Sequence, residues 1–374
     1  MSAYIYILGD ERITVATCGA KAARLSDMMR LGLPIPAGFV IPIQEGGVMS
    51  PELRLFVKIV LGSLAPYGIS VRSSGRVSMP GMLNTVLDIV DVEVALEAID
   101  QVFASWNSPR AKAYRVAYGL SDDCATGIVV QRMIYGDADE NSGTGIVFTR
   151  NPMTNEDRLS GEYLSICRGD ALASGQVIPD DFETAPLLAY QQLYMIGTLL
   201  EQHYGVPQEL EFTIQSEVLY ILQARDMRAA DKGRLMIDPS APLDLLALGT
   251  PASHGVGTGV LVFDLEAASR QLGQGRRIVF ATEEANPDDF ELMTLSEGFF
   301  TMVGGVTSHS AVVARALKKP CVVGCGGLTL DLEKKELRTL LGAIYREGDL
   351  LTVDGTSGLV VKGTPPLVKL INNS

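Results

Sequence analysis

The sequence predicts a multidomain chain of mixed α/β and α+β class, and three observations carry that expectation. The chain has 374 residues, more than a single core usually organises, so two or three domains are expected. It is 47% hydrophobic and 20% charged, which is enough apolar material to fill real cores. In both halves, β-rich segments alternate with amphipathic stretches, and a polar stretch at 228–242 separates them. The boundaries that follow are a first domain over 1–230, a linker over 231–249 and a second domain over 250–374.

Each element has a local reason. Residues 24–31 carry a helical pattern stopped by Gly32, with Pro34 and Pro36 beyond it. Segments 127–135, 143–149 and 211–223 read as strands from their β-rich composition. In the second half, 259–264, 277–281 and 350–361 read the same way. The last is broken at Asp354-Gly355-Thr356-Ser357-Gly358, a turn sequence. Neither an internal repeat nor a low-complexity tract is present.

Net charge is −13, from 31 basic and 44 acidic residues, which argues against nucleic acid and anionic membranes as partners. A bound phosphate must then be held by local cations. No apolar run has transmembrane length and no signal peptide is evident. Five scattered cysteines fit a reducing cytoplasm. Cys321 and Cys325 are expected on one face of a strand, as core cysteines and not as a metal pair.

The most informative stretch runs from Gly304 to Arg315. A strand-like segment, 298–303, leads into two glycines, and a small-residue helix follows and ends near Pro320. Thr307 or Ser308 can cap that helix, which puts His309 in its first turn. Free backbone N–H groups and the positive end of the helix dipole favour an anion there. An imidazole so placed can attack phosphorus and hold the phosphoryl group. A polar residue in an ordinary strand-to-helix turn is the plainer alternative.

A second constellation lies in the first half. Lys21 follows Gly19 and Ala20 at the opening of a helix. Ser70-Val71-Arg72-Ser73-Ser74-Gly75 runs into a small-residue loop containing Met79-Pro80-Gly81-Met82, where backbone N–H groups can approach phosphate and Arg72 adds charged donors. In Gln208-Glu209-Leu210-Glu211-Phe212, strand alternation puts Glu209 and Glu211 on one face. Paired carboxylates repel unless a cation sits between them, so they suit Mg2+; a solvated strand edge is the alternative. Gln223 and Arg225 share a face of the next strand, offering an amide oxygen to metal and a guanidinium to phosphate.

The run around His309, continuing through Lys319-Pro320-Cys321-Val322-Val323-Gly324, resembles the phosphohistidine motif of the pyruvate phosphate dikinase and phosphoenolpyruvate synthase family. Thr-Ser-His at 307–309 is similar to the dikinase branch. The first-half blocks resemble the family's ATP-grasp domain in the same order. They are Gly19 to Phe39, Ser70 to Ser73, Ser78 to Met82, Ser105-Trp106-Asn107-Ser108, Gly143-Thr144-Gly145 and Phe148-Thr149-Arg150-Asn151-Pro152. The resemblance covers essentially the whole chain. It implies an ATP-grasp nucleotide-binding domain followed by a swivelling β/α phosphohistidine domain. It further implies phosphate contacts from Lys21, Arg72 and Arg225, a loop contact from Thr85, adenine flanked by Gln131 and Met133, and Mg2+ held by Glu209, Glu211 and Gln223.

Several features depart from the family. Cys18-Gly19-Ala20-Lys21-Ala22 lacks two of its glycines, and Glu209 stands where the dikinase usually has Asp. The short stretch between Leu87 and Trp106, and the run Ser174 to Asp180, are more similar to the synthase branch. The family's C-terminal barrel is not among these residues. The expectation is an ATP-dependent phosphotransferase in which His309 takes a phosphoryl group from Mg·ATP with the help of Arg72 and Arg225. AMP departs, phosphate or water is the second acceptor, and the final acceptor lies on a separate protein or barrel domain. A non-catalytic nucleotide-binding regulator and a self-contained small-molecule kinase are the alternatives.

Overall fold

Strand alternation in the first half sorts side chains into cores on one face and a polar cleft on the other. The structure, a computed structural model, describes residues 5–44, 47–77, 79, 81–121, 125–152, 155–169, 180–227 and 235–369. Ser78, Pro80, residues 174–179 and 228–234, named above, and Cys124, one of the five cysteines, lie outside the described residues.

Strands Tyr6–Ile7, Gly38–Ile41, Thr126–Arg132, Ile69–Gly75 and Thr85–Ile89 form one antiparallel sheet in that spatial order. Ile69, Val71, Ile128 and Val130 point to one side and pack on helices Pro51–Leu64 and Val92–Ser105. Both helices have a clear start. Ser50 caps the first ahead of Pro51, and the Asp91 side chain accepts from the Glu93 and Val94 amides of the second. Leu53, Val57 and Leu61, four residues apart, bury one stripe of the first helix.

A second antiparallel sheet orders Val218–Asp226, Gln208–Gln215, Gly143–Phe148, Ser160–Ser165 and Asp180–Asp181. Leu210, Phe212 and Ile214 enter a core with helices Ala20–Arg30 and Leu187–Tyr204, which leaves Glu209 and Glu211 on the other face. The stretch 211–223, expected as strand, is part of a hairpin. Gln215 pairs with Val218, and Ser216 and Glu217 make the turn at φ +49° and +71°.

The second half is built on an eight-stranded sheet, in the order Leu245–Leu248, Leu359–Lys362, Leu350–Asp354, Val256–Val262, Ile278–Thr282, Gly298–Thr301, Cys321–Val323 and Thr250–Ser253. The strands from 256, 278, 298 and 321 are parallel. Helices Leu265–Gly273, Phe290–Leu295 and His309–Leu317 connect them. Ile278 and Phe280 pack toward these helices, while Val279 and Ala281 pack on the opposite face, so the strand is apolar throughout.

Two expectations need correction. Residues 235–237 and 245–248, inside the stretch expected as linker, are strands; the first pairs with Leu367–Lys369 and the second joins the eight-stranded sheet. Cys325 does not share a strand face with Cys321. The strand ends at Val323, Gly324 turns at φ +68°, and the two cysteines enter different cores.

One core crosses between the halves. Met79, Met82, Trp106, Ala111 and Tyr114 pack in the same cluster as Phe290, Met293, Ala311 and Val313. The Tyr114 and Phe290 rings lie 5.1 Å apart. The second half is therefore docked on the first, with the histidine-bearing helix at the contact.

Candidate functional site

Lys21 comes from the opening turn of helix Ala20–Arg30. That turn is pinned to strand Ile69–Gly75, because the Ala22 amide donates to Ser74 Oγ at 3.0 Å. Gly19, at φ +87°, lies so close that a Cβ would collide with the Ser74 carbonyl. Lys21 and Arg72 are thereby brought to one place from adjacent elements.

Arg72 leaves its strand on the cleft side. Its Nη1 donates to the Leu222 carbonyl at 3.2 Å, and its Nη2 lies 3.3 Å from Gln223 Oε1 and 3.4 Å from Glu211 Oε2. Across the hairpin, Gln223 stands opposite Glu211, and Arg225 stands opposite Glu209. Arg225 donates to Glu211 at 2.7 Å and to Glu209 at 3.3 Å. Lys21, Arg72 and Arg225 thus face Glu209 and Glu211, an excess of positive charge that suits a polyanion.

The electrostatics follow from that imbalance. Burial first, then Arg72 and Arg225, push Lys21 well below the ordinary ammonium range, against the pull of Glu211. Burial would raise Glu211, yet Arg225, Arg72 and Lys21 outweigh it and hold it below the usual carboxylate range.

The oxygens of Glu211 and Gln223 converge on one guanidinium nitrogen, and both carboxylates share Arg225. Two carboxylates and an amide oxygen around a bound cation fit a hard metal ion such as Mg2+. Among the described residues no group of three or more His, Cys, Asp or Glu could hold a metal.

Thr85 pairs with Arg72 across the sheet and is exposed. Gln131 is buried and donates to the Pro36 carbonyl at 3.0 Å, and the Met133 amide donates to the Gly68 carbonyl at 2.9 Å. These two share the Arg72 sheet region but make no hydrogen bond to the charged cluster among the described residues.

His309 is the first residue of its helix, and Ser308, not Thr307, is the cap. Its ring lies against the loop that follows the Arg72 strand. Gly81 has φ +72°, and a Cβ there would collide with the imidazole. Nε2 is buried and has no hydrogen-bond partner. Burial, then the charge of Arg110, depress the imidazole from 6.5 to about 4, so it stays neutral and nucleophilic. Arg110 is itself fixed on this loop by Met82 O at 3.2 Å and Asn84 Oδ1 at 2.7 Å.

Three residues at this contact were not singled out from the sequence as site residues: Arg110, Glu162 and Arg315. Glu162, on strand Ser160–Ser165, accepts from the Val306 amide at 2.6 Å, the Thr307 amide at 3.3 Å and the Thr307 hydroxyl. Burial raises its pKa and those bonds only partly offset it. Arg315 reaches back to the Val306 carbonyl at 2.7 Å and lies 3.7 Å from Glu209. Arg315 stood inside the histidine motif, so a signal existed. Glu162 is a lone acid in a strand, and nothing near it in sequence announces a partner in the other half.

The arrangement is a unit bearing clustered cations and paired carboxylates with a docked β/α unit that presents a histidine. Residues 48–189 match the family described as "Pyruvate phosphate dikinase, AMP/ATP-binding domain", and residues 274–358 match "PEP-utilising enzyme, mobile domain". The chain belongs to the pyruvate phosphate dikinase family. It is 34% identical to the pyruvate, phosphate dikinase of Rickettsia felis, over 94% of this chain and 56% of that protein. Identity to the Rhizobium meliloti protein of the same name is 28%, over 94% and 56%. For the chloroplastic pyruvate, phosphate dikinase 1 of Arabidopsis thaliana it is 34%, over 93% and 51%. The chain thus spans about half the length of the curated relatives it matches. Among the described residues, no helix is long and apolar enough to cross a membrane.

Proposed function

We propose that the chain is an ATP-dependent phosphotransferase whose His309 takes a phosphoryl group from ATP, releases AMP and passes the group to an acceptor on a separate protein or domain. Nucleotide binding belongs to residues 1–230 and the histidine to a swivelling unit over 250–374, in a cytoplasmic protein. The observation that carries this reading is the docked histidine. A neutral imidazole with an unpartnered Nε2 is seated against the loop that follows the Arg72 strand.

In this reading Lys21, Arg72 and Arg225 bind the triphosphate, exchanging contacts with Glu209 and Glu211 for phosphate oxygens. Gln131 and Met133 flank the adenine, and Thr85 adds a contact from the strand facing Arg72. Glu209, Glu211 and Gln223 would hold Mg2+, which when bound offsets the charge of the triphosphate. His309 Nε2 attacks the β-phosphorus, a P–N bond forms, and the bond to the α-phosphate oxygen breaks with its electron pair leaving on AMP. The γ-phosphate then passes to phosphate or water.

Exchange of labelled AMP into ATP by the purified chain tests this. Exchange is expected with Mg2+, and with phosphate and pyrophosphate present if the second acceptor is phosphate. A chain that binds ATP but supports no exchange under either condition would contradict it.

A further inference from the structure

We propose that Arg315 is a catalytic arginine carried by the histidine's own helix, and that its unbonded N–H contacts an oxygen of the phosphoryl group passing to His309. This rests on the function proposed above. The guanidinium is held on one side only. Nη1 donates to the Val306 carbonyl at 2.7 Å and to the Ala252 carbonyl at 3.3 Å. Nη2 is buried and makes no hydrogen bond, with Glu209 Oε2 the facing anion at 3.7 Å. Arg225, from the nucleotide-binding half, is in the same condition. Its Nη atoms reach Glu209 and Glu211, while its Nε is buried and unbonded.

Two guanidinium groups from opposite halves therefore converge on Glu209, and each keeps a buried donor unused. Buried donors are rarely left unmade, and at 3.7 Å Glu209 does not meet the Arg315 donor. A tetrahedral anion beside Glu209 offers several oxygens and can accept from both. Phosphoryl transfer generates such a group, with charge spread over its equatorial oxygens.

The placement also ties the cation to the nucleophile. Helical side chains lean toward the N-terminus, and Arg315 reaches back past His309 to the carbonyl of Val306. When the unit docks, His309 and Arg315 arrive together; when it swings away, both leave. The ATP site then lacks one cation whenever the histidine is absent, which protects ATP from water. In the step itself the Nε2 lone pair forms the P–N bond and the P–O bond to the nucleotide breaks. The leaving oxygen keeps the electron pair, and the imidazole proton stays on Nδ1. Arg315 transfers no proton; it stabilises charge.

The test uses the whole chain with Arg315→Lys and Arg315→Ala. Three quantities are read: the dissociation constant for Mg·ATP, the single-turnover rate of His309 phosphorylation at saturating Mg·ATP, and labelling of His309 by phosphoramidate, a donor that needs no ATP site. For Arg315→Lys, nucleotide affinity should stay within about twofold while the rate falls on the order of 10²–10³-fold. Arg315→Lys should fold as wild type by circular dichroism, and guanidine should partly restore the rate of Arg315→Ala. A rate within a few fold of wild type would overturn the assignment. So would an Arg315→Ala rate that guanidine does not restore, which would mark Arg315 as a brace for the turn. If wild type itself takes no label from ATP while phosphoramidate labels His309, the proposed function fails first, and this assignment with it.

Discussion

Arg225 bridges Glu209 and Glu211 and cannot be removed without leaving two largely buried carboxylates facing each other. Its side chain is about a third exposed, so the cost is smaller than for a fully buried pair. Arg225→Ala should lower stability without nucleotide by about 1–2 kcal/mol, read from the urea midpoint at constant slope. An unchanged midpoint would show that the carboxylates do not need it. His309 makes a second prediction at this scale. Its value is about 4 when docked, against 6.5 in the open. Between these values the open or unfolded chain binds a proton that the docked form refuses, so stability rises with pH across that window and levels above it. The imidazole should titrate near 4 by NMR; a value near 6.5 would mean the ring is not buried. The helix-start position of His309 and the shared strand face of Glu209 and Glu211 were legible in the sequence, because both are local patterns. Glu162 was not, since its partners are the Val306 and Thr307 amides, far away in the chain.

Among the elements, the loop before strand Thr85–Ile89 and the turn before helix His309–Leu317 form the docking seam. Gly81→Ala would place a Cβ into the His309 ring and strain a backbone at φ +72°. It should cut ATP-driven labelling of His309 at least tenfold and leave phosphoramidate labelling intact. Equal loss of both would mean the variant damages the histidine unit itself. Glu162→Ala removes the acceptor for two amides and a hydroxyl. It should weaken docking by about 1–3 kcal/mol, seen as faster proteolysis in the stretch between the halves. Unchanged cleavage would show that Glu162 does not hold the seam. The strands were legible where alternation or a continuous apolar run was strong, as at 143–148 and 278–282. The turn at Ser216-Glu217 was not located because it turns without glycine, and strand Leu245–Leu248 was missed because it gains its place by pairing with Leu359–Lys362.

At the scale of the whole molecule, the docked arrangement joins chemistry that neither half has alone. The first half supplies cations and carboxylates, and the second supplies a neutral imidazole and one more arginine. Docking was beyond sequence reasoning, because it depends on an apolar cluster shared by residues such as Met82 and Tyr114 with Phe290 and Val313. The central claim is that His309 accepts a phosphoryl group from ATP. Incubation with β-labelled ATP and Mg2+, followed by mapping of the label, tests it most directly. An acid-labile, base-stable adduct is expected on His309, lost in His309→Ala and kept when either of the chain's other two histidines is replaced, in His203→Ala and His254→Ala. A label that survives in His309→Ala would contradict it.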